Sequence, residues 1–184
     1  MTRDTMPDNR TRDIFKAMPP GIERAHQFGL IGDFAAALQS VEEHIRAHPN
    51  DAGGYACKSN VLHHMGRSDE ALQCWDRVKA VAPKYSIWHF RRGQILLDMG
   101  RYDEAIAEFT RQAARDDPDQ LFGPASYLYR AECHLRLGQY GQALADCAML
   151  PEDFEIPGFR GRLDGSKKLI IDDIARIRGD IPSP

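Results

Sequence analysis

Apolar residues along the chain recur at helical spacing in paired stretches, and each pair is divided by a glycine. Four times a Gly is followed five residues later by Ala and then by Leu or Ile: Gly32/Ala37/Leu38, Gly66/Ala71/Leu72, Gly100/Ala105/Ile106 and Gly138/Ala143/Leu144. The intervals are 34, 34 and 38 residues, a period that builds stacked helical hairpins and not one closed core. Alignment on the Gly brings other positions into register. Seven residues before it stand the small Ala25, Ser59, Gly93 and Ala131, as needed where two helices approach closely. Four before it stand Phe28, Leu62, Leu96 and His134, and directly before it Ile31, Met65, Met99 and Leu137. Nine after it come Val41, Trp75, Phe109 and Cys147, placed to fill the space between hairpins. The pattern predicts helices over 20–31, 34–47, 52–65, 69–81, 85–99, 102–115, 122–137 and 140–149.

Each Gly suits the left-handed conformation that ends a helix. Asp33, Asp69 and Asp103 stand at or near the following helix start, where a carboxylate complements free amides and the helix dipole. Pro49, Pro83 and Pro118 follow the second helices of the first three units, and the fourth unit stops early at Pro151.

The order of small residue, aromatic, Ala, aromatic and Pro resembles the tetratricopeptide repeat family. The best match is Trp88-His89-Phe90-Arg91-Arg92-Gly93, then Gly100-Arg101-Tyr102-Asp103-Glu104-Ala105-Ile106, Phe109 and Pro118. The resemblance covers residues 18 to about 150. It implies an all-α, right-handed α-solenoid of about four helix-turn-helix hairpins. Ser68 departs from the pattern where Phe34, Tyr102 and Tyr140 stand, and bulky His44 and Gln112 occupy positions where the family prefers Ala.

The two ends read differently. Residues 1–17 mix Arg3, Asp4, Asp8, Arg10, Arg12, Asp13 and Lys16 with few apolar groups and read as a mobile arm, with Ile14 and Phe15 able to dock on the first hairpin. The 38-residue interval predicts a longer junction before the fourth hairpin. Residues 151–165 read as a breaker-rich loop anchored by Phe154, Ile156 and Phe159. A final helix from Ser166 to Arg178 places Leu169, Ile170, Ile174 and Ile177 on or near one face, which suits a lid on the last hairpin.

Composition narrows the role. A net charge of -3 gives no positive field for a nucleic-acid backbone. No apolar run reaches the length of a membrane span, and the N-terminal residues lack a signal-peptide core, so the chain is expected to be cytoplasmic without a membrane partner. Cys57, Cys74, Cys133 and Cys147 show no paired short spacing and read as reduced packing thiols.

The candidate chemistry is sparse. His44 and His48 stand one helical turn apart, but the Glu of a zinc-protease motif is missing and no third ligand is identifiable, so His44 reads as packed and His48 as solvated. His63-His64 diverge around a helix. Gly53-Gly54 lacks the Lys-Ser/Thr sequel of a phosphate loop. No catalytic, metal or cofactor site is predicted, and an enzyme or metal protein using His44/His48 or a cysteine is the rival from another class.

The family resemblance instead implies a protein-binding scaffold whose first helices line a concave groove. In that register the groove displays His26 from the first unit, Asn60, His63 and His64 from the second, Phe90, Arg91, Gln94 and Asp98 from the third, and Leu128, Tyr129, Glu132 and Arg136 from the fourth. Phe90, Leu128 and Tyr129 are its expected apolar anchors for a peptide or protein segment of unknown identity. Some family members clamp the C-terminal carboxylate of a heat-shock chaperone. Arg91 matches one clamp position and Asn60 offers a similar group, but Ile22 and His26 replace the first-unit Lys and Asn, so that ligand is not predicted. A chaperone similar to those of bacterial secretion systems is the alternative within the same class. Finally, Arg24, Lys58, Arg92 and Arg130 precede the small residue in every unit; their stems are expected to pack while their heads reach local carboxylates or carbonyls, in preference to forming a ladder for acidic ligands.

Overall fold

The computed structural model describes residues 18–85, 87–114, 122–156 and 166–180. The arm 1–17 with Ile14 and Phe15, the junction residues 115–121 and the loop residue Phe159 lie outside the described residues. Described residues form α-helices and no strand: α1 (Pro20–Leu30), α2 (Phe34–Ala47), α3 (Ala52–His64), α4 (Ser68–Val81), α5 (Trp88–Asp98), α6 (Tyr102–Ala113), α7 (Phe122–Arg136), α8 (Tyr140–Ala148) and α9 (Ser166–Arg178). They pair into four hairpins of an all-α helical-repeat solenoid fold. Two compact units contain them, residues 1–83 with α1 to α4 and residues 84–184 with α5 to α9. The largest boundary difference from the sequence expectation is at α5, which starts at Trp88 because Pro83 and Lys84 form a turn.

The four Gly stations end α1, α3, α5 and α7 in the same way. Gly32, Gly66, Gly100 and Gly138 have φ of 79°, 76°, 74° and 71°, which L side chains adopt only with strain. Each Gly N–H donates to the carbonyl three residues back, at 2.9–3.1 Å. The next N–H donates to the carbonyl five residues back, as in Asp33 to Phe28 at 2.9 Å and Gln139 to His134 at 2.8 Å. These paired bonds satisfy helix-end carbonyls and turn the chain into the second helix. Asp33 caps α2 by accepting from the Ala36 N–H at 3.0 Å. Asp69 and Asp103 instead lie inside the first turns of α4 and α6, where they act through the helix dipole.

Register becomes packing at the other recurring positions. Ala25, Ser59, Gly93 and Ala131 are buried, and so are Ala37, Ala71, Ala105 and Ala143 opposite them. Val41, Trp75, Phe109 and Cys147 are buried between the hairpin helices. Full burial of an aliphatic or aromatic side chain of this kind contributes about 1.5–3 kcal/mol. Ser59, the one hydroxyl at the small position, donates to the Ala71 carbonyl at 2.9 Å and so carries no unpaired polar group into the interior.

The bulky His44 is accommodated by glycine. A Cβ added at Gly21 would lie 2.8 Å from His44 Cβ, and one at Gly54 would lie 3.1 Å from its Cδ2. Thus α1 and α3 both give up side-chain volume where α2 gains an imidazole. Its Nε2 meets Asp51 Oδ2 at 2.7 Å, while His48 is exposed. Asp51 also caps α3, accepting from the N–H groups of Gly53 and Gly54 at 3.0 and 3.2 Å. Burial raises its carboxyl pKa, but the His44 and backbone hydrogen bonds outweigh that and leave it below the ordinary value. Gln112, the second bulky substitution, is buried with its Oε1 unpartnered among the described residues.

In the second unit, Ile170 and Ile174 of α9 are buried against Leu128, Leu135, Ala143, Cys147 and Leu150. Phe154 and Ile156 pack against the same cluster, and Lys167 Nζ donates to the Leu150 and Pro151 carbonyls at 2.9 and 3.2 Å.

Candidate functional site

Within each unit the first helices of successive hairpins touch, α1 with α3 and α5 with α7. This places the expected binding residues in two sets.

In the second unit, Tyr129 of α7 lies against α5. Its ring is edge-on to Phe90, with centroids 5.4 Å apart, and stacked on Phe109 at 5.7 Å. Its hydroxyl is hydrogen-bonded to Gln94, and Arg91 Nη1 donates to Gln94 Oε1 at 3.1 Å. Burial raises the Tyr129 pKa, Gln94 and Arg91 lower it, and nearby Asp98 raises it again; the net shift is upward, so Tyr129 stays a neutral hydroxyl near pH 7. Arg91, Gln94 and Tyr129 thus form one connected polar patch on an aromatic base. A rigid base limits the entropy lost when the donors engage a ligand.

Two expected anchors are not on the surface. Phe90 is 4% exposed, enclosed by Phe109, Phe122 and Tyr129. Leu128 is fully buried in the cluster that α9 closes. Both positions face neighbouring helices within the unit, so neither offers an exposed apolar contact. Glu132 is likewise buried, and its carboxylate accepts from Arg136 Nε at 2.8 Å, leaving Arg136 as the exposed partner.

In the first unit, His26 and Asn60 are exposed. His64 stacks on Phe34 with centroids 5.4 Å apart and an interplanar angle of 7°, and His63 Nδ1 meets Ser68 Oγ at 3.0 Å. His63 and His64 are therefore spent largely on local structure. No group of three or more metal-ligating side chains occurs among the described residues.

Three of the four recurrent basic residues form internal ties. Lys58 Nζ lies 2.7 Å from Glu42, Arg92 Nε 3.6 Å from Glu108, and Arg130 grips Asp146 through Nε and Nη2 at 2.8 and 2.5 Å. Arg130 also donates to Thr110 Oγ1 at 3.0 Å. Each of these heads reaches a carboxylate on a neighbouring helix, which supports packing over ligand capture. Arg24 is exposed. Glu108 is the densest node, with His89 Nδ1 at 2.6 Å and Arg111 Nη1 at 3.1 Å in addition to Arg92. Burial raises its pKa, and the three cationic or hydrogen-bonding neighbours together bring it below the ordinary value.

The thiols are free. Burial pushes Cys57 and Cys147 to about 11 and Cys133 to about 12, with Cys74 also raised. Such groups stay protonated near pH 7 and are poor nucleophiles. No described helix is long and apolar enough to cross a membrane.

Four Schellman-capped hairpins with small residues at their crossings define a helical-repeat scaffold protein. The tetratricopeptide repeat family profile matches residues 60–120 and 96–154, together more than half of the chain, and the chain belongs to that family. A small glutamine-rich tetratricopeptide repeat-containing protein 2 of Mycosarcoma maydis is 22% identical over 89 residues, 48% of this chain. The chain spans about a quarter of that relative, 25% of its length. Among solved structures, a thermophilic tetratricopeptide repeat protein of Thermus thermophilus superposes with a TM-score of 0.60 at 20% identity, over 94% of this chain and 87% of that one. PilW, a type IV pilus biogenesis factor, gives 0.62 at 19% identity over 70% and 58%, and MamA of Desulfovibrio magneticus gives 0.60 at 18% over 72% and 75%. These likenesses are likenesses of fold. Family membership carries the general role of a protein–protein interaction scaffold.

Proposed function

We propose that the chain is a non-catalytic adaptor that takes a peptide or protein segment on the faces formed by its first helices. The observation that carries this reading is the Arg91–Gln94–Tyr129 network, where donors from two adjoining helices stand on a fixed aromatic base. Such an arrangement suits backbone carbonyls or a carboxylate of an extended segment. Asn60 and His26 offer further polar contacts in the first unit. Four cysteines that stand unpaired suit a reducing compartment, which we take to be the cytoplasm.

Crosslinking pull-down from the native cell tests the assignment. Arg91→Ala, Tyr129→Ala and Asn60→Ala are expected to lose partners recovered by the parent chain, at unchanged far-UV circular dichroism. Recovery of the same partners at equal yield by all three folded variants sinks it.

A further inference from the structure

Helix α9 covers the last hairpin as a lid, and its C-terminal cap and its contacts also repeat those of the four first helices, although Asp172 stands where they carry a small residue. Gly179, after its last turn, has φ of 81°. The Gly179 N–H donates to the Arg176 carbonyl at 3.0 Å and the Asp180 N–H to the Ala175 carbonyl at 2.8 Å, the same pair of bonds that ends α1, α3, α5 and α7. Even the Gly-Asp step matches Gly32-Asp33. The packing matches too: α3 lies on α1 and α2, α7 on α5 and α6, and α9 on α7 and α8. By cap and by contact, α9 stands where a fifth first helix belongs.

That register assigns roles to its side chains. Counted back from the Gly, Asp173 corresponds to His26, Asn60, Gln94 and Glu132, and Ile177 to His64, Asp98 and Arg136. Asp173 and Ile177, with Arg176, face Leu135 and Arg136 of α7 across an open cleft of about 470 Å³. Ile177 is 56% exposed, a large apolar surface left in water. The two arginines each spend one nitrogen on an acid of their own helix, Arg136 Nε on Glu132 at 2.8 Å and Arg176 Nη1 on Asp173 at 2.9 Å. Among the described residues both Nη groups of Arg136, and Nε and Nη2 of Arg176, remain available. A guanidinium has five N–H donors, so a further carboxylate can be held without breaking either pair.

We propose that the cleft between α7 and α9 is a recognition subsite for an apolar side chain next to an acidic one in a peptide segment. The inference rests on the adaptor reading and extends its binding face onto α9. Ile177, above the nearly buried edge of Leu135, takes the apolar side chain, and Arg136 and Arg176 take the Asp or Glu carboxylate beside it. Each arginine is already balanced by an acid, so the rim lacks the excess positive charge that a polyanionic nucleic-acid backbone exploits.

The test is an amide-detected NMR titration of the full ¹⁵N-labelled chain with acetyl-Gly-Leu-Glu-Leu-Gly-amide, blocked at both ends. Expected are shifts at residues 135–137 and 173–178, weakening with added salt. Replacing the peptide's Glu by Gln, or making Arg176→Gln in the protein, should each weaken binding about fivefold, as for loss of an exposed charge-assisted bond. Ile177→Ser should abolish the shifts at unchanged helix content. Equal binding of the Glu and Gln peptides overturns the inference, as does absence of shifts at millimolar peptide. Shifts confined to the surroundings of Arg91 and Tyr129 overturn the α9 subsite while leaving the adaptor reading intact. If only a peptide with a free C-terminus binds, the ligand class is wrong.

Discussion

Gly93→Ala is the sharpest test of the hairpin packing, because a single methyl group meets a ring that cannot yield. A Cβ at position 93 lies 2.6, 2.8 and 2.9 Å from Cε1, Cζ and Cδ1 of Phe109. Ordinary carbon contacts are about 3.5–4.0 Å, so the ring must retreat by roughly 1 Å. Phe109 is fully buried, with Phe90 at 5.9 Å and Tyr129 at 5.7 Å between centroids, and both rings must move with it. Overpacking of this sort costs about 1–3 kcal/mol. Three contacts under 3.0 Å on a fully buried ring place the cost in the upper part of that range, about 2–3 kcal/mol, and the roughly 1 kcal/mol returned by replacing Gly with Ala inside a helix leaves a net loss of about 1–2 kcal/mol. Gly29→Ala is the matched control, since nothing lies within 4 Å of a Cβ there and α1 still includes that residue. It should be neutral or stabilising by up to about 1 kcal/mol. The assay is urea unfolding followed by circular dichroism and by fluorescence. Trp75 belongs to the first unit and Trp88 to the second, so Trp75→Phe leaves a single reporter on the unit that holds Gly93. Phe109→Leu should cost less in the Gly93→Ala background than alone, with a coupling of about 1 kcal/mol. A Gly93→Ala midpoint equal to or above that of the parent refutes the argument, and so does additivity of the two changes.

Other consequences follow from the buried ion pairs and from His44. Glu108→Gln removes the anion shared by His89, Arg92 and Arg111 and should destabilise the second unit by about 2 kcal/mol, read by the Trp88 transition. Because the folded Glu108 pKa is lowered from 4.5, its contribution is present above that value and lost as pH falls through the folded pKa. The parent should therefore lose more stability than the Gln variant on acidification below 4.5, and parallel pH profiles would contradict this. Arg130→Met takes the guanidinium from the buried Asp146, which keeps His134 Nε2 at 3.9 Å, and should cost about 3 kcal/mol without any partner present, whereas a loss of binding alone would favour a ligand role. His44→Ala leaves a space between Gly21 and Gly54 and should cost about 2 kcal/mol, with Gly54→Ala in the same background recovering part of it in thermal melts.

The periodic sequence determined the local architecture. Gly needs no neighbour to favour positive φ, and a Gly-capped amphipathic helix followed by another can bury its stripe only as a hairpin. Helix extents, the small crossing residues and the internal ties of Lys58, Arg92 and Arg130 were legible for that reason, whereas Arg24, at the same position, is exposed. Tertiary contact decided what periodicity cannot encode. His26, Asn60 and Glu132 share one repeat position, yet the first two are exposed and Glu132 is buried, and Phe90 and Leu128, expected in the groove, are closed over by the rings around Phe90 and the cluster beneath α9. His44 fits because glycines 23 residues before it and 10 after it face it across two helix contacts, a compensation visible only in space. The Gly179-Asp180 signal was present in the sequence all along. Without the Gly-Ala spacing that follows the other stations, and with Asp172 where the first helices carry a small residue, α9 is matched to them by its cap bonds and its seat on α7 and α8 alone. Side-chain burial depends on what the neighbouring helix presents, and that is fixed by packing and not by period.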